Sequence, residues 1–355
     1  MIPPSWRRAA LEPPFAWGAP LSGGTLRAAP EDFIVEELAG FAASGAGPHA
    51  LLTVRKRGAN TEWVARELAR IVGCKAFEVG FAGLKDRNAL TTQAFTVPRG
   101  RRAAEEFIGV AGEGFEVLAA AAHQRKLPRG ALAGNRFVIT VRDVQCDPDA
   151  LRSRVATIAA GGVPNYFGPQ RFGREAGNLV EVQRAAQAVG SGKSLRSRGR
   201  PDQGFMLSAA RSLVFNAILA ARVEQGSWNR LLGGDVANLD ARGSVFPVEV
   251  VDAELERRAA AQEIHPTAPL IGAGESMAGG EVRDLEQRVA AQFPEALAVI
   301  GAARMNAERR ALRLRVRDLR HEYAQGVLRL EFTLGAGSFA TAVLREIIAG
   351  NSGGE

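Results

Sequence analysis

The chain has 355 residues, 46% hydrophobic, 23% charged and 6% aromatic, with a formal net charge of +7 at pH 7 and a pI near 10.1. This composition excludes a predominantly disordered chain, and at about 100–200 residues per domain it predicts two domains. No stretch approaches the roughly 20 apolar residues of a membrane span, and the first 18 residues lack the apolar core of a signal peptide, so a soluble intracellular protein is expected.

Residues 1–24, rich in Pro, Gly and Ala, read as a loosely attached lead-in. Strands are then predicted at Phe33–Val35 and Ala50–Val54. Asn60 or Thr61 can cap a helix whose Trp63, Val64, Leu68 and Ile71 share one face. Phe77–Phe81 and Leu90–Val97 form two more strands, joined by the polar turn Lys85-Asp86-Arg87-Asn88. Further strands follow at Phe115–Ala119 and Phe137–Val141. Asp147 and Pro148 then open a helix reaching about Ala160.

Val163–Gly168 is turn-rich and aromatic. Helical patterns follow near 177–189 and 206–225, separated by a flexible basic loop from Gly190 to Pro201. Residues 252–265 and 283–292 are also expected to be helical. Strands return at Leu312–Val316 and Val327–Leu334, and one helix from about Ser338 to Ala349 is stopped by Gly350. Strands, helices and strands again point to a second domain inserted into the first, with boundaries near 161 and 310.

Forty of the 45 basic residues are arginine, lysine occurring only at 56, 75, 85, 126 and 193. Arginine grips phosphate bidentately and stacks on bases, although a high-GC genome accounts equally for the ratio. The net positive charge favours a polyanionic partner under either reading. Cys74 and Cys146 form no CxxC pair, and the four histidines are scattered, so no metal site is expected.

Two glycine-rich segments are decoys. Gly190-Ser191-Gly192-Lys193-Ser194 lacks the first glycine of a phosphate-binding loop, Gln187 standing there, and it follows a helix rather than a strand. Gly335–Ala340 matches GxGxxA, but the chain ends without the second strand a dinucleotide fold requires.

Phe81-Ala82-Gly83-Leu84-Lys85-Asp86-Arg87-Asn88 sets one carboxylate between two cations at a tight strand junction, which favours its ionised form. Such a group can act as nucleophile or base toward a substrate whose phosphates the cations hold. An aspartate in a turn also serves simply as a hydrogen-bonding turn residue, and local physics leaves both readings open.

FAGLKDRNALTTQ (81–93) resembles a signature of the TruD family of tRNA pseudouridine synthases, and VPNYFGPQRFGREAGNL (163–179) resembles a second. PEDFIVEEL (30–38), HQRKLPRGALAGNRFVI (123–139) and AGSFATAVLREII (336–348) are similar to three more blocks in the same order. The resemblance runs from about 25 to 349. Residues 225–310 match in pattern more than in letters, and nothing before Gly24 matches.

The resemblance implies an α+β fold: a pseudouridine-synthase catalytic domain with a mixed, largely antiparallel sheet flanked by helices, plus an inserted α/β domain. The expected divisions are a lead-in to 24, catalytic segments at 25–160 and 311–350 around an insertion at 161–310, and a tail at 351–355. It further implies isomerisation of uridine to pseudouridine at position 13 of tRNA, in the D arm, without cofactor or metal. Asp86 takes the place of the catalytic aspartate. Phe33, Asn135, Phe137 and Phe339 occupy substrate-pocket positions, the rings to stack on uracil and the amide to bond a base edge or sugar hydroxyl. Lys85 and Arg87 would pair with Asp86 or with a flanking phosphate. On their own pattern Phe137 and Phe339 would be packing residues and Asn135 a turn residue.

Arg171 and Arg174 either contact RNA or cap the insertion, and Tyr166 and Phe167 either pack or stack on a base. The expected partner is tRNA, for a monomeric cytoplasmic protein with no membrane association and no nucleotide cofactor. Competing readings are a non-catalytic tRNA-binding protein or chaperone on the same scaffold, and a pseudouridine synthase acting on another RNA.

Overall fold

Period-two alternation builds the largest sheet. The strand His49–Arg57 turns Ala50, Leu52, Val54 and Lys56 inward and leaves alternate residues outside. In this computed structural model, which describes residues 2–193, 195 and 201–352, eleven strands of the described residues join that sheet. Its main path runs Arg317–Ala324, Val327–Gly335, Gly134–Arg142, Phe33–Leu38, Leu90–Pro98, His49–Arg57, Phe115–His123 and Ala111–Gly112. Gly80–Phe81 adds to Leu90–Pro98, and Ser22–Leu26 lies between Gly134–Arg142 and Ile348–Ser352. Phe33–Leu38 with Leu90–Pro98, and Ser22–Leu26 with Ile348–Ser352, pair in parallel. The other pairings in the sheet are antiparallel, as expected for a mixed, largely antiparallel sheet.

The helix Thr61–Val72 packs Val64, Ala65 and Leu68 against Leu52, Val54 and Phe95 of the sheet. A fully buried leucine or valine there contributes about 1.5–3 kcal/mol of hydrophobic stabilisation. The helix Pro148–Gly161 starts as expected, Asp147 accepting the Ala150 N–H at 3.1 Å.

The chain divides into two compact units. One comprises Pro20–Val155, Val316–Ser338 and Ile347–Glu355 and holds the large sheet. The other comprises Met1–Ala19, Ala156–Arg315 and Phe339–Glu346. In this second unit Val245–Pro247, Val236–Leu239, Ile264–Leu270 and Glu308–Ala311 form a four-stranded antiparallel sheet. Its core surrounds the helix Pro201–Glu224, whose Ala209, Ala210, Leu213, Val214, Phe215, Ile218 and Leu219 are all buried.

Contrary to the sequence expectation, Gln203–Glu224 is long and apolar enough to cross a membrane, with a mean hydropathy of 1.5 over its best window. That window is 67% buried inside the protein, and a helix apolar on all sides is what a core position requires. The helix ends on a buried ion pair, Arg222 Nη1 donating to Asp235 Oδ1 at 2.8 Å.

Several elements differ from expectation. The supposed lead-in contains the helix Pro4–Leu11, whose Trp6, Ala9 and Ala10 join the core of the second unit. The segment after it is clamped: Arg345 donates to the carbonyls of Pro13 and Pro14, and Glu346 Oε2 accepts the N–H groups of Ala16 and Trp17. The last helix is only Ala340–Leu344, and Ile348–Ser352 is a strand. The helix expected over 252–265 spans Ala253–Ala260, with His265 in a strand. The strand expected at 312–316 is replaced by Glu308–Ala311 and Arg313–Leu314. Pro294–Ala303 and Arg317–Ala324 were not anticipated. Residues 194 and 196–200 of the expected basic loop, and 353–355 of the tail, lie outside the described residues.

Candidate active site

One row of the large sheet runs Lys56, Thr91, Val35, Phe137, Phe332 across five neighbouring strands. In the next row Glu37 faces Asn135, and Asn135 faces Leu334. Gly134, which begins that strand, has no room for a side chain, because a Cβ would run into the Leu334 carbonyl. The segment 82–89 connects Gly80–Phe81 to Leu90–Pro98 and is tied down from the sheet and helix.

The ties are specific. Lys56, 1% exposed, donates from Nζ to the carbonyls of Asp86 at 2.7 Å and Ala59 at 2.8 Å. Lys85 Nζ lies 2.6 Å from Glu37 Oε2 in a buried ion pair. The Lys85 N–H donates to Thr61 Oγ1 at 3.0 Å, and the Thr61 hydroxyl donates to Gln93 Oε1 at 3.1 Å. Gln93 in turn donates to the Gly83 carbonyl. Burial pushes the Lys56 ammonium down to about 8, with the Asp86 charge opposing and the Lys85 charge adding to the shift.

With its main chain fixed, Asp86 presents its carboxylate outward, the side chain 32% exposed. Oδ2 is 2.6 Å from Arg27 Nη2, and Oδ1 accepts the Asn88 N–H at 3.1 Å. Arg27 also lies over the Phe33 ring, 4.4 Å from its centroid. Phe33 meets Phe137 edge-on at 6.3 Å, and Phe137 stacks on Phe332 at 5.4 Å.

Phe33 and Phe137 are 5% and 6% exposed, so both are packed, as strand alternation indicates for Phe137. Asn135 lies in a strand rather than a turn, and its Oδ1 is buried without a hydrogen-bond partner. Neither expected cation pairs with Asp86: Lys85 is taken by Glu37, and Arg87 donates from Nε to the Gly58 carbonyl at 3.2 Å. Six of the seven expected residues lie in the unit of the large sheet. Phe339 belongs to the other, 37% exposed at the start of the helix Ala340–Leu344.

The site is therefore a partly exposed carboxylate on a tied-down loop, bonded to one guanidinium that lies over the Phe33 ring, with the orphaned Asn135 Oδ1 in the same sheet. A family model described as tRNA pseudouridine synthase D (TruD) matches residues 13–187 and 192–347. The chain belongs to the TruD family. A TruD relative from Xanthomonas axonopodis pv. citri, "tRNA pseudouridine synthase D", is 44% identical over 346 residues, covering 94% of each chain. A TruD relative of the same description from Methylococcus capsulatus is 43% identical over 338 residues, again covering 94% of each. The fold is also that of a crystal structure described as a putative TruD from Methanosarcina mazei. That match has a TM-score of 0.73 and 22% identity, and covers 98% of each chain.

The sequence reading missed Arg27, Lys56, Glu37, Thr61 and Gln93, of which only Glu37 and Gln93 lie within the TruD blocks. Lys56 carried a signal, being a lysine at an inward position of an alternating strand. Arg27 carried none, because its contacts with Asp86 and Phe33 are made only by the fold.

Proposed function

We propose that this chain isomerises uridine to pseudouridine in tRNA, at position 13 of the D arm, with Asp86 as the catalytic group. The observation that carries the reading is the Asp86 carboxylate, open to solvent and bonded to Arg27, on a loop whose main chain Lys56 holds. The reaction breaks the C1′–N1 bond and forms C1′–C5. N1 gains a proton and C5 loses one, so protons and electrons balance and no redox cofactor is needed. A carboxylate starts the reaction either by attacking C1′ or by removing the neighbouring 2′ proton. Arg27, 2.6 Å from Oδ2, orients it in both cases.

The orphaned Asn135 Oδ1 suits the uracil N3–H, and Phe33, Phe137 and Phe332 supply an apolar wall. Phe339 keeps ring surface free for stacking on RNA. Arg87, exposed beside the loop, suits the flanking phosphate, and Lys85 serves the loop rather than the substrate. Extruding the target base costs a few kcal/mol, which backbone contacts must offset. The reading puts a monomer in the cytoplasm with tRNA as its partner.

Tritium release from tRNA labelled at uracil C5 tests the proposal. Asp86→Asn should fold, bind tRNA and release no tritium, and normal release by that variant would overturn it.

A further inference from the structure

Buried arginines in the second unit are matched by many acceptors. Arg222 bonds both oxygens of Asp235 and the carbonyls of Ser227 and Arg230. Arg309 bonds both oxygens of Glu286 and the hydroxyl and carbonyl of Thr267. Arg313 bonds His265 and three carbonyls. Arg171 and Arg310 break this pattern.

Arg310 lies 4.3 Å from the centroid of Phe167 and 5.8 Å from that of Phe215, and donates from Nη2 to Asn165 Oδ1 at 2.6 Å. Its Nε is buried with no partner. Arg171 lies 5.0 Å from the same Phe167 ring and donates from Nη1 to Ser208 Oγ at 2.8 Å. Among the described residues neither side chain has a carboxylate partner. A guanidinium has five N–H donors, so most donors of both remain unused.

Burial pushes Arg310 down to about 10, the Arg171 charge adding to it, and burial also lowers Arg171. Two like charges held against one aromatic ring with so few acceptors are costly unless an anion completes them. Neither residue is fully buried.

We propose that Arg171 and Arg310, braced by Ser208 and Asn165 on the Phe167 ring, form a phosphate-binding site that takes a phosphodiester of the RNA substrate. The Phe167 ring and the two braces hold both forks, which suits the paired oxygens of a phosphodiester. Three of the contributors, Asn165, Phe167 and Arg171, come from the one segment 163–179, and Arg310 comes from the strand Glu308–Ala311. The RNA part of this inference rests on the proposed function.

Two measurements test it on the full chain. In tRNA binding titrated against salt, Arg171→Gln should weaken affinity and reduce the slope of log K on log salt by about 1. Arg310→Lys, which keeps the charge and loses the fork, should also weaken binding, and Ser208→Ala should do so less. In thermal melts, inorganic phosphate alone should raise the Tm of the wild type more than that of Arg171→Gln. Unchanged affinity and slope in a natively folded Arg171→Gln would overturn the proposal. Phosphate protection with an unchanged slope would overturn the phosphodiester and leave free phosphate as the occupant. If wild type made no pseudouridine yet phosphate protected it through Arg171, the functional reading would fall and the anion site would stand.

Discussion

Lys56 occupies an inward strand position where its neighbours are Ala50, Leu52 and Val54, and it spends its charge on main-chain carbonyls of the Asp86 loop. Its pKa of about 8 in the folded chain lies below the ordinary 10.5. Between those values the unfolded chain binds more protons, so this group's contribution to stability rises with pH across that window. Activity should move the other way. As pH rises through about 8 the ammonium empties, and the bonds to Asp86 and Ala59 lose their charge assistance. Profiles of kcat/KM should show an alkaline limb near pH 8 in the wild type. Lys56→Gln should lack that limb and be slower at pH 7, by up to about a hundredfold for a loop displaced by 1 Å. A limb persisting in Lys56→Gln would remove Lys56 as the positioning residue. At this scale the turn that carries Asp86 was legible, because it is local and its motif sits in one segment. Its partner was not: Lys85 and Arg87 were the neighbours in sequence, but the fold gives Lys85 to Glu37 and brings Arg27 to Asp86.

Elements with internal periodicity were read well, such as Thr61–Val72 and Val327–Gly335, since each defines its own buried face. The two chain ends were read poorly for a physical reason. A short segment such as 343–348, with Arg345 and Glu346 between apolar pairs, fits helix or strand equally, and only the partner strand decides. That partner, Ser22–Leu26, is nearly the whole chain away and carries glycines with no strand propensity. Gly24 is needed there because a Cβ would collide with the side chain of Val141. The N-terminal helix Pro4–Leu11 likewise gains its stability from docking, with Trp6 2% exposed in the core of its unit. Trp6→Ala should therefore cost about 3–5 kcal/mol in urea unfolding, the range for large aromatic truncations in cores. A loose lead-in would instead give a change within about 0.5 kcal/mol.

Over the whole molecule, the net charge of +7 understates the cation available to RNA. Arg55 with Glu116, Arg57 with Glu31, and Arg257 with Glu254 are exposed pairs. Such pairs are worth about 0–1 kcal/mol each, so exchanging a carboxylate for a phosphate costs little. The alternation of strands, helices and strands suggested an insertion at 161–310, whereas the compact unit also takes in Met1–Ala19 and Phe339–Glu346, and the charge suggested a polyanionic partner. Neither could say which arginines are committed inside, as Arg222, Arg309 and Arg313 are, and which are left for a partner. If tRNA is held through six to ten phosphates, affinity should fall by about 10³–10⁵ between 50 and 200 mM salt. Filter binding of tRNA across that range measures the slope. It should exceed by several units the share that Arg171 alone removes, because one contact releases about one counterion. A flat dependence would mean that base and sugar contacts carry the affinity, and would leave the arginine excess without a part in binding.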